Sequence, residues 1–156
     1  MGTVLTVRTG LVIALALPAA FVACSAVRSE SDTFATLQEA RAAGAIDRGW
    51  VPNGLPESTT DLRDAHEPSG THWGRFSFPP AQGDTLRSLI GGEITSSTPP
   101  CDPPGRFEWW PRLLRTPINL ETAHLTGLHL YTSRDGRRVF AINWNQGQGY
   151  YWSTQQ

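Results

Sequence analysis

The 156-residue chain contains no lysine; all 13 of its cationic side chains are arginine. No single site demands that bias, so it is read as a trait of the coding genome. Fourteen acidic residues balance them to a formal net charge of -1. Such a balance gives no wide field to gather nucleic acid or anionic lipid over the whole surface, and nucleic acid is excluded as a partner class. Cysteine is scarce, with only Cys24 and Cys101, so no disulfide-rich scaffold is available. No apolar run reaches the roughly 20 residues that a membrane-crossing helix needs. Catalytic signatures are missing as well: there is no G-x-S-x-G elbow and no H-E-x-x-H pair. Gly91-Gly92 and Gly147-Gln148-Gly149 stand where turns would use them, so no glycine loop to cradle phosphate is read. No repeat with a period of about 20 to 50 residues is visible. A hydrophobic share of 39% with 17% charged residues is ordinary for one globular domain. The reading therefore assigns no catalytic residue, no metal and no cofactor.

What is present begins at the N-terminus. Residues 1–10 carry one cation, Arg8, and are followed by the apolar stretch 11–17, Pro18, and small residues leading to Cys24. This is the pattern of a cleaved export signal, residues 1–23. Phe21-Val22-Ala23-Cys24 resembles the bacterial lipobox, which implies lipidation at Cys24 and a membrane anchor there. Cutting by the ordinary signal peptidase after Ala23 or Ala26 is the alternative, giving a secreted or periplasmic soluble protein. If Cys24 is lipidated, Cys101 in its proline-rich loop is an odd thiol, free or paired between molecules; if not, the two can form a disulfide.

Residues 24–32 read as a tether before a single α+β domain at 33–156. Ser31 or Asp32 can cap a helix over 33–43, with Gly44 closing it in the left-handed C′ position. Trp50 and Leu55, in a proline- and glycine-rich crossing, are expected to plug into the core. Glu67-Pro68-Ser69-Gly70 predicts a turn between strands 61–66 and 71–78, with Phe76 and Phe78 on one face. A short helix over 84–90 ended by Gly91-Gly92, and a strand around Phe107, Trp109 and Trp110, are also expected.

The order Ala43-Gly44, Gly49-Trp50-Val51-Pro52, Leu55-Pro56, Ser58, Asp61-Leu62, His66, Trp73 and Phe76-Ser77-Phe78 resembles small bacterial envelope proteins with a YbbD-type head domain. The likeness covers residues 40–79. It implies a small α+β module on exported proteins and carries over no functional residue.

The C-terminal third has the clearest pattern. Strands 128–132, 139–144 and 150–152 alternate with turns at Ser133-Arg134-Asp135-Gly136 and Asn145 to Gly149, which predicts a three-stranded antiparallel meander. Asp135-Gly136 suits a type I′ turn, in which both central residues take positive φ. The fold class is accordingly α+β, a small antiparallel sheet of this meander plus the N-terminal hairpin, covered by one or two short helices.

Four histidines, His66 and His72 close in sequence to Asp61, Asp64 and Glu67, with His124 and His129 far down the chain, could suggest a metal, but without metal-type spacing they read as scattered surface histidines. The carboxylate pairs Asp61 with Asp64 and Glu108 with Glu121 read as solvated. Aromatic residues are the one surplus. The meander predicts Phe140, Ile142 and Trp144 inside, with Tyr131 and Tyr151 in an outer row edged by Arg134, Arg137 and Arg138, a surface suited to sugar or protein. The leading expectation is a non-enzymatic envelope lipoprotein, held to the membrane through Cys24 and binding a protein or cell-wall ligand. An immunity or inhibitor protein, and a periplasmic hydrolase with a carboxylate site, are the alternatives.

Overall fold

The computed structural model describes residues 30–97 and 107–154. The leader, Cys24, and Cys101 with most of its proline-rich loop lie outside them. Among the described residues no helix is long and apolar enough to cross a membrane. Seven strands form one antiparallel sheet: β1 Glu30–Thr36, β2 Thr60–His66, β3 His72–Ser77, β4 Ile90–Glu93, β5 His129–Ser133, β6 Arg138–Asn143 and β7 Gln148–Ser153. Their order across the sheet is β1-β2-β3-β7-β6-β5-β4. Short helices α1 Leu37–Ala42, α2 Gly83–Arg87 and α3 Leu120–Leu125 complete the α+β fold. The meander and the hairpin are as expected, and β3 pairing with β7 merges them into a larger sheet.

The segment expected to be a helix from residue 33 is a strand up to Thr36. Phe34 and the β-branched Thr33 and Thr36 register against Leu62, Arg63 and Thr60 of β2, and ladder pairing there outweighs weak local helix preference. Strand β1 thus includes Glu30 to Asp32, which belong to the stretch read as tether. Helix α1 is capped by the Thr36 hydroxyl, which accepts from Glu39 N at 3.2 Å, while Glu39 Oε2 reaches back past the cap to accept from Ala35 N at 2.8 Å. Gly44, at φ +73°, closes it as anticipated.

Three further expectations change. Phe107, Trp109 and Trp110 form no strand; they lie in a turn and bend that drives Trp110 into the interior. Ile90 and Gly91-Gly92 belong to edge strand β4 instead of ending a helix, since α2 stops at Arg87. At Asp135-Gly136 only Gly136 takes positive φ, so the loop is longer than a two-residue type I′ turn. Helix α3, capped by Asn119 through a bond from Thr122 N at 2.9 Å, was not anticipated.

The sheet is covered on both faces, which accounts for the aromatic surplus. One face carries Leu62, Phe76, Phe140, Ile142 and Tyr151 beneath α1, Val51 and Leu55. The other carries Trp73, Leu130, Val139, Tyr150 and Trp152 beneath Trp110, Leu114 and Ala123. Alternation along β7 sends Tyr150 and Trp152 one way and Tyr151 the other, so consecutive aromatics fill two cores.

That geometry overturns the outer row. Directly paired residues share a face, and Tyr131, Phe140 and Tyr151 are paired in series across β5, β6 and β7. Tyr151 is fully buried, and Tyr131 is half-buried with its hydroxyl accepting from Trp144 Nε1 at 3.0 Å.

Candidate ligand-binding cleft

The same paired row continues through Gly74 to Asp64 and Asp32. Gly74 has no side chain, so the Tyr151 ring lies across β3 where a β-carbon would stand. Its hydroxyl points at Asp64 Oδ1 from 3.5 Å, the outer limit of a hydrogen bond. Asp64 is fully buried, and its other oxygen accepts from His66 Nδ1 at 2.9 Å. Burial raises the Asp64 pKa to about 6 against the opposing pull of His66. Burial also pushes the Tyr151 phenol well above its usual value.

Outside this polar row stands a stack of rings. Trp50 lies flat on His66, centroids 3.6 Å apart, and the Arg48 guanidinium sits 3.9 Å above Trp50. Gly49, at φ +77°, turns its carbonyl to accept from Arg138 at 2.7 Å. Arg138 Nε donates to His72 Nε2 at 3.1 Å, which fixes the imidazole as the neutral tautomer with Nδ1-H donating to Gly70 O at 3.0 Å. Burial first and the Arg138 charge second lower the His72 pKa to about 4.

These groups wall an open cleft of about 700 Å³. Arg48, Arg137 and Arg138 line it with the hydroxyl residues Ser69, Thr71, Ser153 and Thr154, and no carboxylate residue is in the lining. Arg48 arrives on the turn after α1 and Thr71 on the β2–β3 hairpin; Arg137 and Arg138 stand where β6 begins, next to the end of β7. The lining at this end of the sheet is therefore cationic, with Asp135 close by, its pKa lowered by the Ser133 hydroxyl first and by the Arg138 and Arg137 charges after it.

Of the expected surface, Arg137 and Arg138 are brought into the cleft. Arg134 lies apart, its Nε donating to Ile90 O at 3.1 Å, in a smaller hollow with Leu89 and Phe140. Neither tyrosine reaches the cleft lining. Arg48 and Trp50 were not read as site residues, although Gly44 and Gly49 flanking Arg48 marked a tight turn. His66 and His72 do face each other as a directly paired couple on β2 and β3. Asp61 is ion-paired with Arg75 at 3.0 Å, so it does not join Asp64 as a pair of free carboxylates. Asp32, Asp64 and His66 also converge, but Asp64 already accepts from His66.

Comparison with known proteins agrees with the resemblance read from the residues. A family model described as the YbbD head domain matches residues 29–77, which span β1, α1, β2 and β3. No curated protein and no solved structure matches the chain. The matched segment supplies Arg48, Trp50, Thr71 and His72, whereas Arg137, Arg138, Ser153 and Thr154 come from the meander outside it.

Proposed function

We propose that the chain is an exported bacterial envelope lipoprotein, without catalytic activity, whose domain binds an anionic group of a cell-wall or protein ligand. The observation that carries the binding part is a cleft lined by three arginines and by no carboxylate residue, with Asp135, just outside the lining, answering part of the charge of Arg137 and Arg138. A phosphate or carboxylate seated there would meet Arg137 and Arg48 at the rim, with the hydroxyls of Thr71 and Thr154 within the same wall. Arg138, tied to His72 and Gly49, holds the floor in place. The leader and Cys24 support the anchor.

Two measurements test the two parts. Chemical-shift titration with inorganic phosphate is expected to move the amides of residues 70–72 and 137–138 saturably. The double change Arg48→Ala with Arg137→Ala should weaken that binding by about tenfold, roughly 1.4 kcal/mol. Shifts equal in wild type and variant would remove the cleft from the function. For the anchor, mass spectrometry of the mature protein from a bacterial host is expected to find residue 24 N-terminal with diacylglycerol on its sulfur. An unlipidated N-terminus at another position overturns the anchor alone.

A further inference from the structure

A second cluster lies at the opposite edge of the sheet from β1. Glu93 ends β4, His129 opens β5, and His124 sits in the last turn of α3. The chain reverses between the two histidines at Gly127, φ +82°, which returns His129 alongside His124. Their rings stack with centroids 5.0 Å apart. Glu93 Oε1 lies 2.8 Å from His129 Nδ1 and 3.6 Å from His124 Nε2, and each of the three residues offers a ligand atom within 4.8 Å of those of the other two.

We propose that Glu93, His124 and His129 form a binding site for a zinc-class divalent cation. Zinc bonds of about 2.0–2.2 Å to nitrogen and oxygen in a tetrahedron place neighbouring ligand atoms roughly 3.3–3.4 Å apart. The two carboxylate–imidazole separations bracket that value, so on those two sides a cation needs only sub-ångström movement of Glu93 away from His129 and of His124 toward Glu93. Two imidazoles and one carboxylate select zinc, copper or nickel over calcium or magnesium, which prefer all-oxygen shells. Each ligand is about two-fifths exposed, so a cation can reach the site from solvent and keep at least one position for water or an external ligand. Three protein ligands with an open position are the arrangement of exchangeable and catalytic zinc sites, in contrast to closed structural ones.

The site also sits where the fold is weakest in ladder pairing. β4 registers with β5 only through Ile90 with Ser133 and Glu93 with Tyr131, with an irregularity between them. A cation held by α3, β4 and β5 would clip this edge strand to its neighbours, and binding to the folded state alone raises stability. The sequence gives no warning of it, because the ligand spacing of 31 and then 5 residues matches no metal motif.

The test uses the untagged mature chain. Titration with Zn²⁺ against a chromophoric chelator is expected to show one saturable site per chain, and saturating Zn²⁺ should raise the melting temperature by several degrees. His124→Gln and His129→Gln should each weaken binding at least tenfold, whereas His66→Gln should leave it unchanged. Because the His124 and His129 side chains are exposed, far-UV circular dichroism of those two variants should match wild type. Independently of any variant, Cu²⁺ bound at one equivalent should show hyperfine coupling to two imidazole nitrogens in its electron paramagnetic resonance spectrum. The proposal is overturned by absence of saturable binding, by a wild-type copper spectrum without two nitrogens, or by loss of binding in His66→Gln with none in His124→Gln.

Discussion

Gly74→Ala and Gly149→Ala each lower unfolding free energy by on the order of 3 kcal/mol, at the upper end of overpacking costs. Strands β3 and β7 exchange rings for vacancies: Gly74 pairs with Tyr151, and Gly149 pairs with Phe76. At Gly74 an added β-carbon would overlap the Tyr151 ring and hydroxyl, and at Gly149 it would overlap the Phe76 ring. Both rings are fully buried, so neither can swing into solvent. A close-packed interior transmits the displacement instead of absorbing it. In urea the midpoint should fall with the slope unchanged. Gly92→Ala, with nothing near its added carbon, should be nearly neutral and serves as control. In a Tyr151→Leu background the Gly74→Ala cost should shrink, since the atoms that collide are the tyrosine's far ring carbons and hydroxyl. An unchanged urea midpoint for Gly74→Ala would show that the ring does not lie over β3.

The second large effect concerns acid. Asp64, with its pKa raised from 3.8 to about 6, binds its proton more tightly folded than unfolded, so its contribution makes stability fall as pH rises from about 4 to 6. His72, lowered from 6.5 to about 4, resists protonation when folded, so its contribution makes stability rise with pH over about 4 to 6.5. The slopes oppose and nearly cancel between pH 4 and 6. Asp64→Asn should expose the histidine slope, and stability should then drop by on the order of 3 kcal/mol from pH 6.5 to 4, at about 1.4 kcal/mol per unit. His72→Gln should do the reverse and make the protein more stable at pH 4 than at pH 6. Urea midpoints across this range decide it: if Asp64→Asn tracks the wild-type profile, the buried carboxyl does not hold the raised pKa.

The cleft and the cation cluster differ in how much of each was legible. Arg137 and Arg138 could be placed near one turn because the meander pattern is local, two strands and a loop. Arg48 could not be joined to them, because the contact that aligns the two segments, Arg138 donating to the Gly49 carbonyl beside Arg48, spans 89 positions of the chain. The histidines read as scattered because spacing along a chain says nothing of a helix folded back on a strand. The expected outer row of Tyr131 and Tyr151 failed for a similar reason: period two tells which residues alternate within β7, not which side the neighbouring strands assign to each set.

Alone, the amino-acid order determined the hairpin at Glu67 to Gly70, the meander and the α+β class, all of which depend on contacts within a few residues or on period-two burial. Tertiary structure decided that 30–36 is strand, that the sheet has seven strands covered on both faces, and that arginines from two distant segments share a cleft. Those outcomes depend on β3 pairing with β7, whose residues stand more than 70 positions apart. No local preference encodes such a pairing; it is supported by the rings of Tyr151 and Phe76, which lie over the glycines opposite them.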